Sequence, residues 1–193
     1  MAVGPAHRAL RDACQAAHQQ LEDSLPLLRD DLDLPSYVAF LRRFYPVVHS
    51  LEHNLLQWEG PVAHHGYCLE PGSRALRLSR DIEVLGAAVP PCVPPVPAPM
   101  PTSLAEAIGQ LYVLEGSALG GQVIARRLGP RLGLSPSHGC AYFSGRGAQT
   151  APHWRHLCAL LEASLGEAAA MRAAAAAACQ SFAFVEQALR PPW

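Results

Sequence analysis

The sequence predicts an all-α protein folded as one helical bundle, on three observations. Apolar residues recur at three- and four-residue intervals along much of the chain, the spacing that lines one face of a helix. No segment carries a competing strand pattern. Proline, serine and threonine stand where the periodic stretches open, and proline stands where the first of them stops, as helix ends require. A chain of 193 residues is expected to form a single domain, residues 1–193, because that length buries an apolar core without covalent staples.

The first helix runs from Ala6 with Leu10, Ala13, Cys14, Ala17, Leu21 and Leu25 at helical spacing, until Pro26 opposes continuation through its ring and missing N–H. A second opens at Leu34-Pro35-Ser36, since proline suits a first turn. Tyr37, Phe40, Leu41, Phe44, Val47, Val48, Leu51 and Leu55 keep its period, and Pro46 should kink or divide it. Residues 60–72, rich in glycine and histidine, read as a loop, and residues 74–85 as a shorter helix. Residues 89–101 contain seven prolines and read as an extended connection, because proline supplies no amide donor and biases its predecessor away from α. Thr102 and Ser103 can cap a long helix to about Leu128, with Glu106 at capping-box distance. Residues 152–165 and 167–189 complete a set of about six main helices, the last favoured by alanine propensity as much as by pattern.

Composition excludes several classes. The formal charge is −1 and the basic side chains, all arginine, are scattered among acids, so no nucleic-acid partner is expected. Six cysteines, Cys14, Cys68, Cys92, Cys140, Cys158 and Cys179, lie far apart without a C-x-x-C pair, which argues against a zinc knuckle or a disulfide scaffold. Residues 1–12 have no leader pattern, and Arg172 interrupts the alanine-rich stretch. A cytoplasmic protein outside the membrane is expected.

Two features carry chemistry. Gly116, Gly120 and Gly121 fall in the middle of the long helix, each costing about 1 kcal/mol relative to alanine. Gly116 and Gly120 share a face, which would admit either another backbone or a flat ligand close to the axis. His18 lies with Cys14, Ala17 and Leu21 on the first helix, four residues before Glu22. A metal-bound imidazole usually donates its second ring proton to such an acceptor. Arg11, two turns earlier on the same side, can meet an acidic group of a ligand.

The segment Leu10-Arg11-Asp12-Ala13-Cys14-Gln15-Ala16-Ala17-His18-Gln19-Gln20-Leu21-Glu22 resembles the proximal helix of haem oxygenases. Tyr112-Val113-Leu114-Glu115-Gly116-Ser117-Ala118-Leu119-Gly120-Gly121-Gln122 resembles their glycine-rich distal helix. The Tyr37 to Glu52 stretch, Phe143-Ser144-Gly145, Trp154-Arg155 and Ser181-Phe182-Ala183-Phe184 follow in the family's order. The form around Glu115 to Gln122 is most similar to bacterial haem oxygenases that accompany phytochromes.

The resemblance implies a bundle gripping haem b, substrate and cofactor at once, between the first helix and a kinked glycine-rich helix. It implies oxidative cleavage with O2 to biliverdin, carbon monoxide and ferrous iron. His18 would be the axial iron ligand, with Glu22 orienting it, and Arg11 and Arg155 would pair with the propionates. Gly116 and Gly120 would bring distal backbone against bound O2, Gly121 would stand with them, and Phe182 would pack at the haem edge. Many family members carry aspartate where this chain has Ser117, so proton delivery falls to a hydroxyl or to another group. Electrons would come from an external reductase or ferredoxin, since no nucleotide-binding fingerprint is present, and a bacterial phytochrome would receive the biliverdin. A haem carrier or sensor on the same fold is the non-enzymatic alternative.

One rival motif stands apart. His49-Ser50-Leu51-Glu52-His53 spells H-x-x-E-H, a zinc peptidase string, but no third ligand accompanies it. The expected reading puts His49, Glu52 and His53 toward solvent. His64, His65, His153 and His156 read as loop and helix-surface residues.

Overall fold

The structure, a computed structural model, describes residues 4–70 and 72–190. Seven α-helices account for most of them: α1 (Pro5–Ser24), α2 (Leu34–Leu55), α3 (Glu59–Ala63), α4 (Ser73–Val84), α5 (Leu104–Leu132), α6 (Thr150–Ser164) and α7 (Ala168–Ala188). No strand occurs among the described residues beyond isolated bridges at Ser135, as the periodicity requires.

The helix ends obey local chemistry. Asp33 caps α2 by accepting from the Ser36 amide at 2.8 Å, and Ser103 caps α5 by accepting from that of Glu106 at 3.3 Å. Helix α1 has no cap of its own; the Glu162 carboxylate on α6 accepts from the Ala6 and His7 amides at 3.1 and 3.0 Å, satisfying orphan donors at the positive end of the helix.

Three expectations need correction. Helix α2 is not divided at Pro46, which is buried inside it; one missing donor is outweighed by the apolar face on either side. Helix α5 runs past Leu128 and through Pro130, ending at Gly133 with φ 68°, the left-handed stop that glycine allows. Part of the supposed 60–72 loop is the short helix α3, because Pro61 sits in its first turn, where proline is tolerated.

Helix α7 is the hub: it packs along α5 and along α1, while α6 bridges α1 and α5, and α2 packs on α4. By length and composition α7 would suffice to cross a membrane, yet in this fold its Ala174, Ala178 and Phe182 are buried in the shared core. The α5–α7 contact is backbone to backbone, since a β-carbon on Gly109 would lie 2.1 Å from the Ala174 carbonyl oxygen. Helices α1 and α5 both rest on α7 and α6 but share no extensive interface with each other.

The proline-rich segment is extended, as its composition dictates, and straps over α2. Arg42 Nε donates to the Ala88 carbonyl at 3.1 Å, and Asn54 and Gln110 both donate to that of Pro99 at 2.9 Å. The 134–146 loop folds back into the core beside α5. Asp81 accepts from the Ala141 and Tyr142 amides at 2.7 and 2.9 Å, and the Tyr37 hydroxyl donates to the Gly139 carbonyl at 2.8 Å.

Candidate active site

His18 stands on α1 with its side chain about half exposed, 53 %. Its Nδ1 lies 3.6 Å from a Glu22 carboxylate oxygen one turn on, so a small rotation makes the hydrogen bond. The ring meets Phe182 of α7 edge-on at a centroid distance of 5.3 Å. With Nδ1 directed at Glu22, Nε2 is the nitrogen left for another partner, the arrangement a ligating imidazole needs.

The glycines of α5 divide by face. A β-carbon on Gly120 would meet nothing within 4 Å, and one on Gly116 only the Trp154 indole at 3.9 Å. The same atom on Gly121 would come within 2.9 Å of the Phe143 carbonyl oxygen. Gly121 therefore serves the close approach of the 134–146 loop, on a different face of α5 from Gly116 and Gly120. Those two leave a bare stretch of helix with room for a flat group.

Ser117 donates to the Leu114 carbonyl at 2.6 Å and lies 3.0 Å from the Tyr142 hydroxyl. Since the Ser117 hydroxyl donates to Leu114, the buried Tyr142 hydroxyl is the one left to donate across the Ser117–Tyr142 contact. The serine proton is thus already committed to its own helix.

Arg11 is exposed and paired with Asp12 at 3.0 Å. Arg155 is exposed on α6. Both are surface cations, on the helices that bear His18 and Trp154 respectively.

The structure also assembles polar residues that sequence reasoning missed. Glu115, only 4 % exposed, accepts on one oxygen from the Tyr67 hydroxyl at 2.5 Å, from His153 Nε2 at 2.8 Å and from Arg74 Nη2. Arg74 also donates from Nη1 to Glu52 at 3.1 Å. Glu52 is buried, not solvent-facing as expected, because it accepts from the amides of Arg74 and Ala75 at the start of α4, at 3.0 and 2.9 Å. His153, read as a surface residue, is half-buried against Glu115 and Tyr67.

One signal was available. Glu115 follows Leu111, Tyr112, Val113 and Leu114, a run with no polar face to which a lone acid could belong. The H-x-x-E-H string makes no metal centre: its glutamate is consumed by Arg74, and no set of three or more potential ligands gathers among the described residues. His49 and His53 stack on each other with centroids 6.3 Å apart.

Comparisons with known proteins give the family and the fold. The family model described as Heme oxygenase matches residues 5–191. A curated heme oxygenase from Xanthomonas campestris pv. campestris (strain 8004) is 38 % identical over 153 residues, covering 79 % of this chain and 87 % of that protein. The NO- and CO-bound heme oxygenase of Neisseria meningitidis superposes with a TM-score of 0.74 at 23 % identity, over 97 % of this chain and 91 % of its own. The heme oxygenase of Leptospira interrogans superposes with a TM-score of 0.75 at 17 % identity, over 96 % and 98 %. These two likenesses show the fold.

Proposed function

This chain belongs to the haem oxygenase family and is an enzyme of haem degradation, and from that premise we propose that His18 ligates the iron while the Gly116–Gly120 face covers the opposite side of the porphyrin. Two unlike surfaces, one on α1 and one on α5, carry the reading. An imidazole with one nitrogen directed at a carboxylate projects from α1, and α5 offers glycines with open space where β-carbons would stand. The residues fit the group. The helix stripped of side chains admits a flat macrocycle, Phe182 presents an aromatic edge beside His18, and Arg11 and Arg155 are cations for its propionates.

Bound haem supplies the redox chemistry that opens its own ring with O2 to biliverdin, carbon monoxide and ferrous iron. The chain's residues orient and enclose. Glu22 holds the His18 tautomer and raises the basicity of the ligand. Gly116 and Gly120 bring backbone close to the reacting centre and leave no side chain to block it. Ser117 has committed its proton to Leu114, so it orders a neighbouring water by accepting, and the proton itself comes through that water. Electrons come from a separate reductase or ferredoxin. A bacterial phytochrome is the proposed acceptor of biliverdin, on the strength of the Glu115 to Gln122 pattern, and the six unpaired cysteines favour a reducing, cytoplasmic setting.

The commitment of the serine proton gives a second reading, a haem carrier, its specific support. Titration of purified protein with hemin, followed by a reductant in air and extraction of pigment, separates the two. The enzyme reading expects saturable one-to-one binding followed by loss of the Soret band and formation of bile pigment. A stable oxygen-bound complex without pigment supports the carrier, and absence of any spectral response overturns both.

A further inference from the structure

Glu115 precedes Gly116 directly, and its environment is unlike that of any other acid on α5. Its carboxylate gathers Tyr67 from the loop before α4, Arg74 from α4 and His153 from α6, and through Arg74 it reaches Glu52 on α2. Arg74 is 8 % exposed at its side chain. Two carboxylates and a guanidinium taken out of water cost several kcal/mol each before pairing, and apolar residues of the same volume often serve stability equally well. What such a fully satisfied node does supply is a unique setting of the elements that meet in it.

The residue on the other side of Gly116 is tied as well. Ser117 meets the Tyr142 hydroxyl, and the Tyr142 amide is held by Asp81 of α4. Both neighbours of Gly116 are therefore anchored to α4, one through Arg74 and one through Tyr142 and Asp81. We propose that Glu115 is a positioning residue of the active site, fixing the rotation and height of α5 so that Gly116 and Gly120 face the haem cleft. This rests on the haem-facing reading of those glycines.

A proton-relay role is the alternative, and the electrostatics decide against it. Burial opposes ionisation of Glu115, but the hydrogen bond from His153, the Arg74 charge and the Tyr67 hydroxyl outweigh it and hold the carboxyl at about 2. A group so acidic remains an acceptor at neutral pH and carries no proton. Its influence on the reaction passes through the placement of the helix.

The test uses full-length, hemin-loaded protein. Glu115→Gln and Tyr67→Phe are compared with Leu165→Ala, a core truncation about 18 Å from His153 along α6. Measured for each are hemin affinity, melting temperature, turnover, and the C–O stretch of the ferrous CO complex as a probe of the distal face. Glu115→Gln and Tyr67→Phe are expected to keep hemin affinity within about threefold, to shift or broaden the C–O band, and to lower turnover about tenfold, less than the roughly hundredfold that a full ångström of misplacement can cost. Leu165→Ala lowers the melting temperature with band and turnover unchanged. Tyr67→Phe removes one hydroxyl, so it carries the test if Glu115→Gln does not fold. Wild-type band and turnover in Tyr67→Phe, or the same changes in Leu165→Ala, would overturn the assignment. A wild-type chain that binds no hemin overturns the reading of the cleft beneath it, a failure distinguishable at the first titration.

Discussion

The two halves of α5 use the same helix for opposite ends. From Ala107 to Glu115 every residue is buried, and Gly109 lets the backbone press against Ala174. From Gly116 to Gly120 the helix is half-covered or bare, and Gly120 faces open space. Glycine in the first half is a packing device; in the second it is an opening. The boundary falls at Glu115, where the buried charge node sits, so the most constrained residue of the helix adjoins the point where its continuous burial ends. A ligand surface made of backbone has no side chains with which to correct its own aim, and the constraint must come from the neighbouring turn.

The largest blow to this comparison should come from Arg74→Met, which leaves Glu52 and Glu115 buried without their cation. The expected loss is about 3–5 kcal/mol, read by denaturant unfolding, and a loss under about 1 kcal/mol would show that the node is not the anchor. Acid should reproduce a related effect. The Glu115 carboxyl lies at about 2 in the fold against an ordinary 4.5, so its contribution is present above 4.5 and fades as pH falls from there toward 2, on the order of 3 kcal/mol in all. Asp81, pushed up by burial against the pull of its two amide bonds, works in the opposite sense and offsets part of it. Unfolding midpoints measured between pH 7 and 3 should drop below about 4.5 in wild type and drop less in Glu115→Gln.

Smaller effects separate the two kinds of glycine. Gly109→Ala must move α7, at a cost of about 1–3 kcal/mol, with the catalytic groups in place once folded. Gly120→Leu should stabilise the haem-free fold by about 0.5–1 kcal/mol through helix propensity yet reduce turnover about tenfold or more by crowding the distal face. If thermal melts and turnover assays found the two variants behaving alike, the division of α5 into packing and opening halves would fail.

Much of the fold was legible in the sequence because its signals are local. The apolar period of α1, the first-turn proline of α2, the Ser103 cap and the alanine content of α7 act within one or two turns, and the observed boundaries follow them. The steps of α2 past Pro46 and α5 past Pro130 were not legible, since surrounding packing decides whether one missing donor matters. His18 with Glu22, and the glycines, stood out as candidates because each set's spacing along its own helix is a local signal. The charge node could not. Residues 52, 67, 74, 115 and 153 lie on five segments, only Glu115 carries a signal of its own in the apolar run before it, and the packing of the helices brings them together.

His18 directs Nδ1 at Glu22, and as the proposed ligand it would offer Nε2 to the iron. The direct measurement is hemin titration of His18→Ala, followed by absorbance, with and without added imidazole. The account expects weaker binding by about tenfold or more and an altered Soret band, with imidazole restoring the wild-type spectrum. Unchanged affinity and spectrum in the absence of imidazole would contradict it and move the iron ligand elsewhere in the chain.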